Sequence, residues 1–170
     1  NITGICEKDN QYYSMTFKYF GCKITFVDSL KMIPFGLGKF GEEFELPKEH
    51  SKKEAIVYSY YNELNNMVRI PTEKYRDLLP KSQQKTFDDN LLTDRSYNSS
   101  DKTFNPTTYY IDYLRLDCVT LKMGFRKFNV TLKKVTDDIV DTHKFLTISS
   151  ATDYYMKTQG VYDGVYEIKG

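Results

Sequence analysis

Between Tyr12 and Val27 apolar and polar residues alternate. Tyr13, Met15, Phe17 and Tyr19 share one parity, and Ser14, Thr16 and Lys18 the other. This is the two-residue period of a half-buried strand. Gly21 interrupts the run and predicts a bulge or bend. Cys22, Ile24 and Phe26 then alternate with Lys23, Thr25 and Val27. Pro34 to Gly41 reads as a glycine-rich, apolar-aromatic loop. Residues 51–67 carry two opposed signals. Ser51-x-x-Glu54 is a capping box, and Ile56, Tyr60, Leu64 and Met67 fall at helical spacing. Against that, residues 55–61 are rich in β-branched and aromatic side chains. The agreement of cap and stripe favours a helix. A second short helix is expected at Thr72 to Leu79, bounded by Pro71 and Pro80.

Residues 81–105 are polar with scattered apolar positions and read as one long exposed loop. Tyr109 to Phe125 gives the strongest β signal. Leu114, Leu116 and Cys118 lie on one parity, then Val119, Leu121, Met123 and Phe125 on the other, and the switch implies a bulge or a change of sheet. Residues 128–135, 144–148 and 161–168 add further strands. The pattern predicts a single, mainly β domain over residues 1–170. It would be an antiparallel β-sandwich or partly open barrel with one or two short helices, with α+β as the alternative.

Composition narrows the function classes. The 170 residues include fifteen Tyr and eleven Phe but no Trp, and the 24 basic and 23 acidic residues leave a net charge of +1. So many aromatics and so little net charge exclude a disordered chain. A basic excess, the usual footprint of nucleic-acid binding, is missing, and no apolar run approaches the ~20 residues of a spanning helix. The expected partner is therefore another protein, with neither nucleic acid nor membrane insertion.

The chain opens at Asn1 without a charged-then-apolar leader, which reads as a processed mature chain. Asn1, Asn98 and Asn129 begin N-x-[ST] tripeptides. Asn98 and Asn129 are the candidate glycosylation sites, Asn129 on the wet face of an alternating segment. Three cysteines, Cys6, Cys22 and Cys118, allow one disulfide and one free thiol. A strand from Gln11 to Phe20 would span ~33 Å, so Cys6 and Cys22 stand too far apart to bridge. Cys22–Cys118 is the first choice and Cys6–Cys118 the second. These features point to an extracellular or cell-surface location.

Catalytic and cofactor motifs fail one by one. Gly36-Leu37-Gly38-Lys39-Phe40-Gly41 matches G-x-G-x-x-G, but Glu42, Glu43 and Glu45 follow at once and Pro47 stops any helix before two turns. The same residues resemble the glycine-rich loop of protein kinases, yet Val57 stands where the phosphate-holding Lys is needed. Asp137, Asp138, Asp141 and His143 match no metal-loop spacing and read as a solvated turn. Neither His50 nor His143 belongs to a nucleophile signature. The expectation is no enzyme, no metal and no cofactor.

Tyrosine comes in pairs: Tyr12-Tyr13, Tyr60-Tyr61, Tyr109-Tyr110 and Tyr154-Tyr155. In a strand each pair would offer one core ring and one surface ring. Exposed Tyr suits contact surfaces. The expected contact residues are Phe35, Leu37 and Phe40 in the glycine loop, Tyr97 and Phe104 in the polar loop, and Tyr109, Tyr110, Tyr154 and Tyr155. Pro106-Thr107-Thr108-Tyr109-Tyr110, followed by Leu121-Lys122-Met123-Gly124-Phe125, resembles a short stretch of the poxvirus secreted chemokine-binding β-sandwich proteins. Their several disulfides are impossible with three cysteines. The resulting expectation is a secreted or cell-surface module for ligand binding, adhesion or immune modulation. A β-barrel carrier of an apolar ligand and a self-assembling coat or surface-layer subunit are the alternatives.

Overall fold

A computed structural model describes residues 2–8, 11–50, 54–62 and 68–164. In chain order the elements are β1 (Ile2–Lys8), β2 (Gln11–Tyr19), β3 (Cys22–Val27), α1 (Phe40–Glu43), β4 (Ile70–Pro71), α2 (Thr72–Arg76), α3 (Lys81–Leu91), β5 (Tyr97–Asn98), β6 (Thr103–Phe104), α4 (Pro106–Val135) and α5 (Ile148–Thr158). The structure is about 50% helical and 17% strand. This overturns the mainly β expectation: the described residues form two small three-stranded sheets and a long helix, with no sandwich or barrel.

Two compact units are present, Asn1–Gly36 with Met123–Gly170, and Leu37–Lys122. In the first, β1, β2 and β3 form an antiparallel meander. The alternation at 12–27 does make strands here. Gly21 is no bulge. Tyr19 pairs with Cys22, leaving Phe20 and Gly21 as a two-residue turn with φ of 45° and 78°. Positive φ at both central residues matches the twist of the flanking strands, and Gly21 adopts it without a steric penalty. Ile5, Met15 and Phe26 are in register on one face, with Phe17 opposite Ile24. Thr16 and Thr25 share a hydrogen bond on the other face at 3.0 Å.

The largest correction concerns residues 109–135. Read as two strands, they lie within one continuous helix of 30 residues, α4. Asn105 caps it, its Oδ1 accepting from Thr108 N at 3.0 Å, and Pro106 occupies the first helical position, where its missing N–H costs nothing. At the other end Asp137 and Asp138 take positive φ, and Asp138 N donates back to the Lys133 carbonyl at 2.8 Å, closing the helix as a left-handed cap does. Tyr109, Tyr113, Leu116 and Thr120 recur at helical spacing along its inner side, buried or half-buried. The apparent parity switch at Cys118 is this 3.6-residue period sampled two residues at a time. Both stretches that resemble the chemokine-binding sandwich proteins lie on this helix.

Other elements also depart from the pattern. Residues 81–105 contain α3 and the β5–β6 hairpin, not one loop. Phe87, Asn90 and Leu91 form α3's buried edge. Residues 54–62 form no helix beyond a 3-10 turn at Tyr58–Tyr60, and residues 51–53 and 63–67 of the expected helix lie outside the described residues. Residues 144–148 are not a strand but lead into α5, which Thr147 caps by accepting from Ser150 N at 3.1 Å. Of 161–168, residues 161–164 are turn and the rest lie outside the described residues.

The core of the second unit is aromatic. Tyr75, Phe87 and Phe104 are fully buried and Tyr109 nearly so, with Ala55, Leu79 and Leu91 completing the cluster. Edge-on contacts dominate, Tyr75–Phe104 at 5.1 Å and Phe87–Phe104 at 5.5 Å between centroids, the geometry ring quadrupoles favour. Beside it Arg69 staples the short sheet, donating through Nη2 to the Ser96 and Thr103 carbonyls at 3.2 and 3.1 Å.

Candidate functional site

Four tyrosines of the second unit meet at one place. Tyr110 and Tyr113 lie three positions apart on α4, hence on adjoining faces of one turn. Tyr58 and Tyr61 come from the 54–62 segment. Tyr61 stacks on Tyr110 at 4.4 Å with 25° between planes, and Tyr110 runs nearly parallel to Tyr113 at 6.1 Å and 18°. Tyr58 closes the group edge-on to Tyr110 at 6.3 Å, and its hydroxyl meets that of Tyr113 at 3.1 Å. Tyr58 is 62% exposed, and Tyr61, Tyr110 and Tyr113 are half-buried. The result is an array of parallel rings with an accessible edge.

One turn further along α4 lies Asp117. Tyr58 and Tyr113 share one hydrogen bond that either hydroxyl can donate. Partial burial raises the Tyr113 hydroxyl above the usual phenol range, and Tyr58 and the Asp117 charge push it the same way. Burial likewise raises Tyr61, assisted by its bond to Tyr75. Both rings stay neutral donors at physiological pH.

Behind the array the hydroxyls connect to the core. Tyr75 accepts from Val57 N at 2.9 Å and shares a hydrogen bond with Tyr61 at 2.9 Å. The Tyr109 hydroxyl donates to Glu54 Oε2 at 2.7 Å. Burial, then the Glu54 charge, raises Tyr109. On the flank of α4, Arg95 clasps Asp112 through two bonds of 2.6 and 2.7 Å.

Of the residues expected to make contacts, Tyr110 alone is in this array. Phe104 and Tyr109 are core, and Tyr97 pairs opposite Phe104 and packs against that core. Phe40 is 2% exposed in α1, edge-on to Phe44 at 5.1 Å, while Leu37 is half-buried in the preceding 3-10 turn. Phe35, Tyr154 and Tyr155 belong to the first unit. Tyr154 packs on Phe145 at 5.3 Å, and Tyr155 is half-buried. α1 has only four residues, so Gly36 to Gly41 opens no phosphate-binding helix. Asn98 folds back to accept from Ser100 N at 3.1 Å, and Asn129, on α4 instead of a strand, accepts from Thr142 Oγ1 at 2.8 Å. Cys6, Cys22 and Cys118 are all free and exposed, which removes the expected disulfide. Tyr58, Tyr61, Tyr113 and Asp117 were missed as a set. The Tyr110-x-x-Tyr113-x-x-x-Asp117 spacing would have shown one helix face, had Asn105-Pro106 been read as a helix start.

The family model for DNA polymerase type B, organellar and viral, matches residues 1–161. The chain belongs to that family. No curated protein and no solved structure matches it. Membership points to a DNA-related, enzymatic function and replaces the secreted binding, adhesion or immune-modulating module, as well as the expectation of no enzyme. The partner class becomes DNA instead of a receptor or secreted ligand, and an organellar or viral polymerase family points to the interior of cells instead of the extracellular space. The small net charge misled because it measures the electrostatic part of DNA binding. Aromatic stacking on bases needs no basic excess.

Polymerase chemistry uses divalent cations held by carboxylates. Among the described residues no three His, Cys, Asp or Glu side chains converge, so these residues do not fit a complete metal centre. Among the described residues no helix is long and apolar enough to cross a membrane.

Proposed function

We propose that the Tyr58, Tyr61, Tyr110 and Tyr113 array binds a single DNA strand for the polymerase. The observation that carries this reading is the parallel run of Tyr61, Tyr110 and Tyr113. Half-buried tyrosines already stacked on one another are the kind of surface on which bases stack, and such contacts tolerate any sequence because every base has a π-face. The hydroxyls of Tyr58 and Tyr113, joined at 3.1 Å, add a polar rim that can meet phosphate or sugar oxygens.

Equilibrium binding of the full chain to a labelled oligothymidine tests the proposal. Tyr61→Ala and Tyr110→Ala should each weaken binding by roughly 1–3 kcal/mol, the worth of one base–aromatic stack. Because stacking dominates, the dependence on salt should be shallow, with a slope of about −1 to −2 in log–log form. Wild-type affinity in both variants would sink the reading.

A further inference from the structure

Tyr58 and Tyr61 sit on a segment whose described regular structure is one 3-10 turn. A stretch with so few backbone bonds of its own is placed by what its side chains and amides grip. Tyr75 grips it in the middle, through Val57 N and Tyr61. The grip at its start is of a different kind. Glu54 Oε2 accepts from the Tyr109 hydroxyl at 2.7 Å and from Asn90 Nδ2 at 2.6 Å. Tyr109 is 1% and Asn90 6% exposed, so this carboxylate reaches interior donors on both α3 and α4. Ala55, the next residue, is 2% exposed and buried in the same core cluster as Tyr109. Tyr109 immediately precedes Tyr110. The turn of α4 that carries the stacked ring is thus the turn that Glu54 holds.

We infer that Glu54 is the positioning residue of the tyrosine array: it sets the 54–62 segment on α4 so that Tyr61 meets Tyr110 before any DNA arrives. The inference rests on the DNA reading above. A preset stack avoids the ordering cost that loose rings would incur on binding. The donors that tie it to α3 and α4, Asn90 and Tyr109, are both neutral, so at these two bonds an acceptor oxygen at the right reach suffices. A Gln amide oxygen can take both bonds, whereas Asp withdraws the oxygen by one methylene and Ala removes it.

The test compares a labelled oligothymidine with an abasic deoxyribose–phosphate strand of equal length, each titrated against the full chain. Glu54→Ala should weaken oligothymidine binding about tenfold, the effect of losing one good stack, and leave abasic binding within about twofold. Glu54→Gln should restore the base-dependent affinity. If Glu54→Ala loses helicity by far-UV circular dichroism, Glu54→Asp takes its place with the same expectation. Equal losses on both strands, or no loss on oligothymidine while Tyr61→Ala and Tyr110→Ala do weaken it, would overturn the positioning role and leave the DNA reading standing. No effect from the two tyrosine variants would overturn the DNA reading itself, and this inference with it.

Discussion

Tyr75→Phe removes one oxygen from the molecule and little else. The ring is fully buried against Phe87 and Phe104 at 5.4 and 5.1 Å between centroids, and phenylalanine keeps those contacts. The lost oxygen accepts from Val57 N and bonds the Tyr61 hydroxyl, both at 2.9 Å. Each buried polar group left unpaired costs about 1–3 kcal/mol. Both partners are only partly buried, so the lower end applies and the total should be about 2 kcal/mol. Urea denaturation should show a midpoint lower by about 1 M with unchanged slope, since the exposed area is the same. Hydrogen exchange at the Val57 amide should accelerate in step. Tyr61→Phe is the control: it leaves the Val57–Tyr75 bond in place and should cost about 1 kcal/mol. Stability of Tyr75→Phe within about 0.5 kcal/mol of wild type, with Val57 exchange unchanged, would refute the claim that this hydroxyl fastens the array to the core.

Three further outcomes are expected. Asn105→Ala removes the α4 cap seen at Thr108 N and should lower thermal or urea stability by about 1 kcal/mol. Tyr61, Tyr75 and Tyr109 all have raised pKa values, chiefly from burial. Groups with a raised folded pKa lend stability that is full below the unfolded value near 10 and lost above it. Unfolding followed by circular dichroism should therefore set in above about pH 10, together with tyrosinate absorbance, and a fold that tolerates pH 12 unchanged would contradict the burial. Asp117→Asn removes a negative charge one turn from Tyr113, so in chelator and low salt oligothymidine affinity should rise about two- to fivefold by relief of repulsion. A drop would contradict binding of DNA at this array.

Part of this architecture is readable from the chain alone. The strict alternation at 13–19 and 22–26 specifies β2 and β3 but not β1, because each slip of one residue would invert every side chain, and the Phe20-Gly21 pair supplies a turn of matching twist. The start of α4 is equally local, since Asn105-Pro106 is a cap followed by a preset φ. The body of α4 reads as strand because many of its apolar residues are β-branched or aromatic and they occur on both parities. Strand propensity largely reflects the packing of such residues on half-buried surfaces, and in α4 a continuous helical face supplies that burial instead.

The tyrosine array belongs to tertiary structure. The hydroxyls of Tyr58 and Tyr113 meet across 55 positions of sequence. Glu54, which reads as the end of a capping box, finds its partners 36 and 55 positions away. No local period encodes such meetings, because they exist only once α3 and α4 close on an aromatic core. The residues chosen as contacts from their chemistry therefore divided on folding. Phe104 and Tyr109 went inside, where their area contributes most. Tyr110, one position on and turned by about 100°, was left to carry the surface stack.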